Sequence, residues 1–360
     1  MGVEGLSSFL RKRAPDAFTI VDRSKYRGKR LVFDISVWIY TYLRQAHRRA
    51  VRGVKVDTRG RYKEVVKSIF RMVESCLAEG VTPIFVFDGQ PPPEKELTLA
   101  KRRDEKRDRQ NKVNEVIRKW EETPAVERTR GQLAEVEKML QSNCSLPPED
   151  VENIRDFFTK LGVPCLRSLV QADDLCASLA IEGYASAVVS TDSDFLVYGV
   201  PHLITKWMYE FAGDKQVVRL EEVSRSEVLS TLEIDHDQFV GMILLMGSDY
   251  NEGVNGVGPV KALERVKNSR LPSRLNDYDT KHLRSLFEYR LSTSLTEDEI
   301  RLTFDSAELT RNIGECLAFL GYGSSHVRYV CELCDSLPVP PSSYVSVPPR
   351  RVKLQPQSSE

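Results

Sequence analysis

Short, almost uninterrupted apolar runs recur along this chain, and they constrain its fold more than any other feature of the sequence. They lie at residues 29–34, 83–88, 163–166, 187–190 and 202–205. Runs of this kind are typical of strands that are buried on both faces of a parallel sheet. Helical patterns, such as those at 61–79 and 150–161, separate them. We therefore predict an α/β fold with a central, mostly parallel sheet.

The remaining sequence divides the chain into five predicted regions. Residues 1–90 and 146–235 carry the strands, and residues 91–145 form a charged helical insertion between them. Within that insertion, residues 95–130 contain 12 Lys or Arg and 8 Asp or Glu, with few large apolar side chains to bury. Such a helix is either a solvated spacer or a projection that works outside the core. Residues 236–337 are predicted to be helical, and residues 338–360 to be a flexible tail.

Composition excludes several classes of protein. No apolar run approaches the roughly 20 residues that a membrane-spanning helix needs. The seven cysteines have irregular spacing, which fits a reducing compartment better than a disulfide framework. We therefore expect a soluble intracellular protein. Its formal net charge is zero, but residues 1–67 hold 17 Lys or Arg against 6 Asp or Glu. A basic end beside an acidic remainder indicates a surface for a polyanion, or simply a solvated basic face.

Aspartates follow the predicted strands and flank the helices next to them. They are Asp34, Asp88, Asp173, Asp174, Asp192, Asp194 and Asp249. Each alone has an ordinary explanation as a turn, cap or dipole residue. Together they would converge at the carboxyl edge of a parallel sheet, where like charges repel unless cations neutralise them. Oxygen ligands suit Mg²⁺ or Mn²⁺, and a pair of such ions can clamp a phosphodiester.

A glycine-rich turn lies between two predicted helices, at about 238–246 and 260–266. Gly253, Gly256 and Gly258 precede Pro259 and Lys261. Glycines at the start of a helix leave backbone N–H groups open to a phosphate. The segment is either a simple turn or a helix-hairpin-helix that grips a duplex backbone without reading its sequence.

Five blocks in this order and spacing resemble those of the flap endonuclease / Rad2 (XPG-type) family of structure-specific 5′ nucleases. The blocks are residues 1–6, 32–40, 86–92, 190–194 and 245–259, and the resemblance extends over about residues 1–335. It implies a sheet with a metal site at its edge, a helical arch over that site and a helix-hairpin-helix that binds DNA. The short insertion is similar to that of flap endonucleases and exonuclease-1-like members.

The resemblance also implies roles for individual residues. The family's metal-ligand positions correspond to Asp34, Asp88, Asp173, Asp192, Asp194 and Asp249. Tyr40 falls where an aromatic ring stacks on the base beside the scissile phosphate, Lys95 and Arg102 fall on arch positions that contact that phosphate, and Gly2 falls close to the site. Gly253, Gly256 and Gly258 match a hairpin that in the family also binds a monovalent cation such as K⁺.

The sequence departs from the family pattern at two places. Gln171 stands where the family usually has Glu, which removes one negative charge from the metal site, and Asp174 is positioned to compensate. The tail has no sliding-clamp motif. Residues 349–354 resemble a short nuclear-import signal, so we expect the protein in the nucleus or at sites of DNA replication, as a monomer.

The leading hypothesis is a Mg²⁺-dependent structure-specific 5′ nuclease that hydrolyses branched DNA near a junction, at a site with two Mg²⁺ or Mn²⁺ ions. One alternative keeps the fold and changes the substrate to messenger RNA, as in some viral relatives of the family. The other is a catalytically silent junction-binding protein, with Gln171 marking the lost chemistry.

Overall fold

The computed structural model describes residues 3, 5–51, 58–89, 104, 108, 111–113, 115–116, 118–119, 122–124, 127, 129–142, 146–169, 171–213, 215–268, 274–275, 278–288, 299–335 and 344–346. Gly2, Lys95 and Arg102, for which the resemblance implies roles, lie outside the described residues. No helix in the described part of the chain is both long and apolar enough to cross a membrane.

A seven-stranded sheet forms the centre of the molecule. Its strands are β1 (Phe18–Asp22), β2 (Arg30–Asp34), β3 (Thr82–Phe87), β4 (Cys165–Arg167), β5 (Ala187–Val189), β6 (His202–Ala212) and β7 (Lys215–Ser224). In the order β1-β7-β6-β5-β2-β3-β4, the four pairs from β6 to β4 are parallel and the two pairs that involve β7 are antiparallel. The predicted α/β fold with a mostly parallel sheet is confirmed, and the five apolar runs correspond to β2–β6.

The antiparallel edge of the sheet differs from the prediction. β6 continues beyond residue 205 to Ala212 and returns through Gly213 as β7, which pairs with β1. Neither β7 nor β1 has a continuous apolar run, because an antiparallel edge has one solvated face. Gly213 has a φ of 63°, a conformation that favours glycine, and this permits the tight reversal.

Helices cover both faces of the sheet. They are α1 (Leu6–Arg13), α2 (Ile35–Val51), α3 (Thr58–Leu77), α4 (Arg130–Ser142), α5 (Pro148–Lys160), α6 (Ala172–Ile181), α7 (Asp194–Tyr198), α8 (Arg225–Leu232), α9 (His236–Met246), α10 (Pro259–Asn268), α11 (Thr280–Ser285), α12 (Ser306–Leu320) and α13 (Ser324–Asp335). One apolar cluster joins α1, α6, α7, α9 and α10 to one face, and another joins α2, α3, α5 and α12 to the opposite face. Helices on both faces explain why the central strands are apolar throughout.

Two smaller strand pairs lie outside the central sheet. β8 (Arg274–Leu275) pairs with β9 (Tyr278–Asp279), and β10 (Glu299–Arg301) pairs with β11 (Tyr344–Ser346). Three residues of the segment predicted to be a flexible tail are therefore in a strand. The division of the chain into five regions stays a prediction, as does the arch, for which only α4 and single positions are described.

Candidate metal centre and helix-hairpin-helix

Two neighbouring parallel strands place the first two aspartates. Asp34 is the last residue of β2, where it is only 5% exposed and accepts a hydrogen bond from Ser190 Oγ at 3.1 Å. Asp88 follows β3 and accepts from Ser36 Oγ at 2.6 Å. Because β2 and β3 are in parallel register, both carboxylates lie at the carboxyl edge of the sheet.

A backbone contact brings the start of α6 to the same edge. The N–H of Ala172 donates to Asp88 Oδ1 at 3.0 Å, and Gln171 precedes it as the N-cap residue in an extended conformation. Asp173 and Asp174 then occupy the first turn of α6, where acidic side chains complement the helix dipole. Asp173 is half-buried and Asp174 is buried.

The loop between β5 and α7 orients two further aspartates through backbone hydrogen bonds. The N–H of Asp192 donates to Ser190 Oγ at 3.2 Å, and the N–H of Asp194 donates to Asp192 Oδ1 at 3.0 Å. Asp194 is buried, and its Oδ1 accepts from the backbone N–H of Val3 at 2.9 Å. Val3 thus contacts the candidate site.

The charges of these aspartates act on one another. Burial raises the pKa of Asp34 well above its usual value, and the charges of Asp173, Asp88 and Asp192 raise it further, whereas the Ser190 hydrogen bond lowers it.

The pKa of Asp194 is raised for the same reasons. Burial raises its pKa, and so do the charges of Asp192, Asp249 and Asp173, against the Val3 hydrogen bond that lowers it. Asp34, Asp88, Asp173, Asp192, Asp194 and Asp249 therefore share one electrostatic field, and we call them the aspartate cluster.

The charges of Asp173 and Asp174 both raise the pKa of the buried Cys176 thiol, and Asp173 also raises the pKa of Asp34 and of Asp194. Burial raises the pKa of that thiol first, and the charges of Asp34 and Asp173 add to it more than Asp174 does. Cys176 is thus a buried neutral thiol behind the cluster.

The chemistry of the cluster fits hard cations. Its donor atoms are carboxylate oxygens, which suit Mg²⁺ or Mn²⁺. Among the described residues, no three His, Cys, Asp or Glu side chains form a group that could hold one ion. Mg²⁺ keeps several water ligands and needs only one or two carboxylates, so separated aspartates are compatible with it.

Tyr40 lies on α2 and is half-buried. Burial raises the pKa of its hydroxyl, and the charge of Asp88 raises it further. The tyrosine is therefore within electrostatic reach of the aspartate cluster.

The predicted helix-hairpin-helix is present as α9, a glycine turn and α10. A capping box begins α9: Gln238 N–H donates to Asp235 Oδ1 at 2.7 Å, and Asp235 N–H donates to Gln238 Oε1 at 2.9 Å. The turn needs glycine at Gly253, whose φ is 69° and where an added Cβ would lie 2.4 Å from the backbone N of Gly247. The turn is thus closed by backbone packing.

The outer part of the hairpin is open. Gly256 has a φ of 73°, none of the described atoms lies within 4 Å of an added Cβ there, and Gly258 is exposed just before Pro259 begins α10. Lys261 Nζ donates to the Gly256 carbonyl oxygen at 3.2 Å. Asp249 precedes the turn, and its charge adds to burial in raising the pKa of Asp194. This connects the hairpin to the aspartate cluster.

Several residues of the site had no prediction. Ser36 and Ser190 orient carboxylates, Val3 supplies a backbone donor, and Ser248 with Asn251 closes the loop before the hairpin through bonds of 2.9 and 3.3 Å between their backbones. In the sequence, only the spacing of Ser190, Asp192 and Asp194 indicated one of these contacts. A serine hydroxyl can accept a hydrogen bond from the backbone N–H of an aspartate two residues later.

Comparisons with known proteins agree with this arrangement. The model of the XPG N-terminal domain matches residues 1–109 and that of the XPG I-region matches residues 162–249, together more than half of the chain. Flap endonuclease 1 of Entamoeba histolytica is 26% identical over 267 residues, which are 74% of this chain and 67% of that protein. Flap endonuclease 1 of Scheffersomyces stipitis is 26% identical over 314 residues, 86% of this chain and 77% of that protein. The solved structure of flap endonuclease-1 from Methanococcus jannaschii has a TM-score of 0.58 at 22% identity and covers 89% of this chain and 96% of its own, which shows the fold.

Proposed function

This chain belongs to the XPG/Rad2 family of flap endonucleases, and we propose that the aspartate cluster is the hydrolytic centre of a structure-specific 5′ nuclease. The protein is accordingly a hydrolase of the nuclease class. The observation that carries the assignment is electrostatic: burial raises the pKa values of Asp34 and Asp194, and the charges of four further aspartates from four separate segments, Asp88, Asp173, Asp192 and Asp249, raise them more. A folded protein keeps so much repulsion only where cations relieve it.

The six residues of the aspartate cluster would hold two Mg²⁺ or Mn²⁺ ions. Bound there, the ions would supply Lewis-acid stabilisation of the phosphodiester and a more acidic water nucleophile. The chain's own residues position this centre: Ser190, Ser36 and the N–H of Ala172 and Val3 fix the carboxylates. Tyr40, whose pKa the charge of Asp88 raises in addition to burial, would stack on a base next to the scissile phosphate.

Gln171 lowers the negative charge of the site by one relative to the family pattern. Its side chain offers a neutral carbonyl oxygen, so we expect weaker affinity for divalent cations. Asp174, beside Asp173 in the first turn of α6, was predicted to compensate, and this stays a prediction. We infer that Gln171 sets a higher requirement for Mg²⁺.

The helix-hairpin-helix is proposed to hold the duplex part of a branched DNA. Gly256, Gly258 and the first turn of α10 present an exposed glycine backbone and a helix N-terminus to a phosphate, and Lys261 adds a positive charge. Binding of this kind is electrostatic and weakens with salt. A monovalent cation at the hairpin stays a prediction. The Gly256 carbonyl, one available ligand, already accepts from Lys261.

The other predicted features remain proposals: phosphate contacts by Lys95 and Arg102, a role for Gly2 next to Val3, a monomer, nuclear localisation, and recruitment that does not depend on a sliding-clamp motif. RNA as an alternative substrate also remains open to the experiment below.

Cleavage of a 5′-flap DNA labelled at its 5′ end tests the proposed function. The purified protein is assayed across Mg²⁺ and Mn²⁺ concentrations, with Asp192→Ala, Gln171→Glu and the control Asp237→Ala, an exposed aspartate of α9 paired with Arg284. We expect a short product from the wild type and the control, none from Asp192→Ala, and product at lower Mg²⁺ from Gln171→Glu.

Three other outcomes would revise the proposal. Product from Gln171→Glu alone would identify a junction-binding protein that one substitution restores to activity. A matched RNA flap cut in preference to DNA would make RNA the substrate. Unchanged cleavage by Asp192→Ala would place the hydrolytic centre elsewhere.

A further inference from the structure

One edge of the central sheet can take another strand. β1 is the end strand of the seven, and among the described strands it pairs with β7 alone, in a continuous register from Phe18 to Asp22. On the outer side of an edge strand, the backbone N–H and C=O groups point away from the sheet. They can therefore pair with a strand that is added there.

The two edges of the sheet differ in how well they resist such pairing. The opposite edge strand, β4, has only three residues, and short edge strands are poor templates. β1 has five residues without a bulge in its register, and its central residues Thr19, Ile20 and Val21 are β-branched, as suits a strand. None of the three is a charged residue or a proline, which would hinder an added strand.

The middle of β1 presents an apolar side chain to solvent. Ile20 is 57% exposed, and Thr19 beside it is exposed as well. Phe18 and Val21 are instead half-buried and pack against the apolar clusters on the two faces of the sheet. A β-branched side chain on an added strand would cover Ile20 as a cross-strand neighbour, and such contacts stabilise strand pairing.

Cations lie on the outer surface beside β1, whereas the carboxylates that pair with them are buried. The side chains of Glu221 and Glu222, opposite the middle of β1 on β7, are only 7% and 3% exposed. Their partners Arg11, Lys25 and Lys206 have side chains that are 37–51% exposed. An approaching chain therefore meets positive charge before it meets negative charge.

Lys12 and Arg13, at the end of α1 and shortly before β1, add to this positive charge. Both are exposed, and neither has an ion-pair partner in the described part of the chain. An acidic chain is therefore complementary to this surface, whereas a second copy of the protein would bring like charges together. A phosphodiester backbone would also attract the cations, but it has neither a side chain to cover Ile20 nor a pattern of donors and acceptors that continues a sheet.

We infer that the β1 edge binds an extended, acidic segment of a partner protein, which adds beside β1 as a strand with a β-branched centre. In this mode of recognition, backbone hydrogen bonds supply affinity and alternate side chains supply specificity. Such binding does not depend on the proposed nuclease activity.

A designed peptide tests this inference. The fluorescein-labelled peptide Glu-Glu-Val-Thr-Val-Glu-Glu is titrated with the protein in EDTA and without DNA, and fluorescence anisotropy measures binding. We expect saturable binding. Replacement of every glutamate of the peptide by lysine should weaken it about tenfold or more, because like charges then meet.

Backbone methylation of the peptide distinguishes strand addition from simple charge attraction. One form carries N-methyl groups on both valines, and the other carries them on threonine and on the glutamate two positions later. Alternate N–H groups of a strand point to opposite sides, and the valine face has to cover Ile20, so only one set of N–H groups faces β1. One methylated form should therefore bind about tenfold more weakly than the other.

Matched variants locate the peptide on the protein. Ile20→Ala should weaken binding about fivefold, because the cross-strand contact is lost. Ile181→Ala is the control, since Ile181 on α6 is also an exposed isoleucine, at 41%. Lys12→Gln combined with Arg13→Gln should weaken binding about fivefold, whereas Lys160→Gln on α5 should leave it unchanged.

The inference fails if the peptide does not bind, if the two methylated forms bind equally, or if Ile181→Ala weakens binding as Ile20→Ala does. A dimer in sedimentation that Ile20→Ala dissociates would make a second copy the occupant instead. Duplex DNA that binds through Lys12 and Arg13, with no binding of the peptide, would make nucleic acid the occupant. Because the peptide assay contains neither divalent cation nor DNA, its result is separate from that of the cleavage assay.

Discussion

The backbone N–H of Val3 donates a 2.9 Å hydrogen bond to Oδ1 of Asp194, across 191 positions of the sequence. Asp194 is buried among other carboxylates, and this bond is the contact that lowers its pKa while burial, Asp192, Asp249 and Asp173 raise it. Val3 therefore helps to keep Asp194 ionised and oriented through its backbone alone.

Replacement of Val3 by proline removes the N–H and tests this relationship. Loss of a hydrogen bond to a buried carboxylate costs about 1.5–3 kcal/mol, so we expect Val3→Pro to be less stable and to need roughly tenfold more Mg²⁺ for half-maximal flap cleavage. Val3→Ala keeps the N–H and loses only side-chain packing. If both variants need the same Mg²⁺, the hydrogen bond does not support the site.

Asp34→Asn should abolish activity while it increases stability. The substitution removes one charge from the aspartate cluster, so repulsion falls while the group can still accept from Ser190. We expect no flap cleavage and, in EDTA at neutral pH, a free energy of unfolding about 1 kcal/mol higher than that of the wild type.

Thermal unfolding with and without Mg²⁺ checks this prediction. Mg²⁺ should raise the Tm of the wild type more than that of Asp34→Asn, because only the folded wild type binds the ion tightly. Asp237→Asn, on an exposed surface, should behave as the wild type does. An Asp34→Asn protein that is less stable than the wild type in EDTA would show that the cluster is not strained by its charges.

Glu221 should make the stability of the protein depend on pH. Burial raises its pKa, but hydrogen bonds from Arg11, Lys206 and Thr205 outweigh burial and lower it from 4.5 to about 2. A carboxyl group whose pKa is lower in the folded than in the unfolded protein stabilises the fold at any pH above its unfolded-state pKa. The contribution of Glu221 is therefore present above pH 4.5 and is lost as the pH falls to about 2. Because Arg11 and Lys206 are partly exposed, we expect about 2 kcal/mol.

Urea unfolding of the wild type and Glu221→Gln between pH 6 and pH 2 measures that contribution. The variant should be less stable at pH 6, and the difference should shrink on acidification. The contributions of Asp34 and Asp194 to stability depend on pH in the opposite direction. Their folded-state pKa values are raised, so in EDTA their contribution improves as pH falls from neutral. A constant difference across the range would exclude Glu221 as an acid-sensitive contact.

Glu221 also shows why part of the fold could not be predicted from the sequence. β2–β6 were predicted because strands covered on both faces are apolar throughout. β7 buries Glu221 and Glu222, whose partners Arg11 and Lys25 lie 210 and 197 positions earlier, so no local pattern marks it as a strand. The aspartates were recognisable because each follows a strand or flanks a helix. The N–H of Val3 was not, because a backbone donor has no residue signature.

Two glycines of the hairpin provide a matched test of its packing. Gly253 and Gly256 have nearly the same φ, 69° and 73°, but an added Cβ at Gly253 would lie 2.4 Å from the backbone N of Gly247, whereas none of the described atoms lies within 4 Å at Gly256. Gly256→Ala should therefore cost only the strain of a left-handed residue, about 1–2 kcal/mol. Gly253→Ala must also displace backbone and should cost roughly 3 kcal/mol or more. Denaturant unfolding measures both values, and binding of a plain DNA duplex should weaken more for Gly253→Ala because the turn itself moves. Equal losses for the two variants would show that strain at φ, and not backbone packing, makes glycine necessary in this turn.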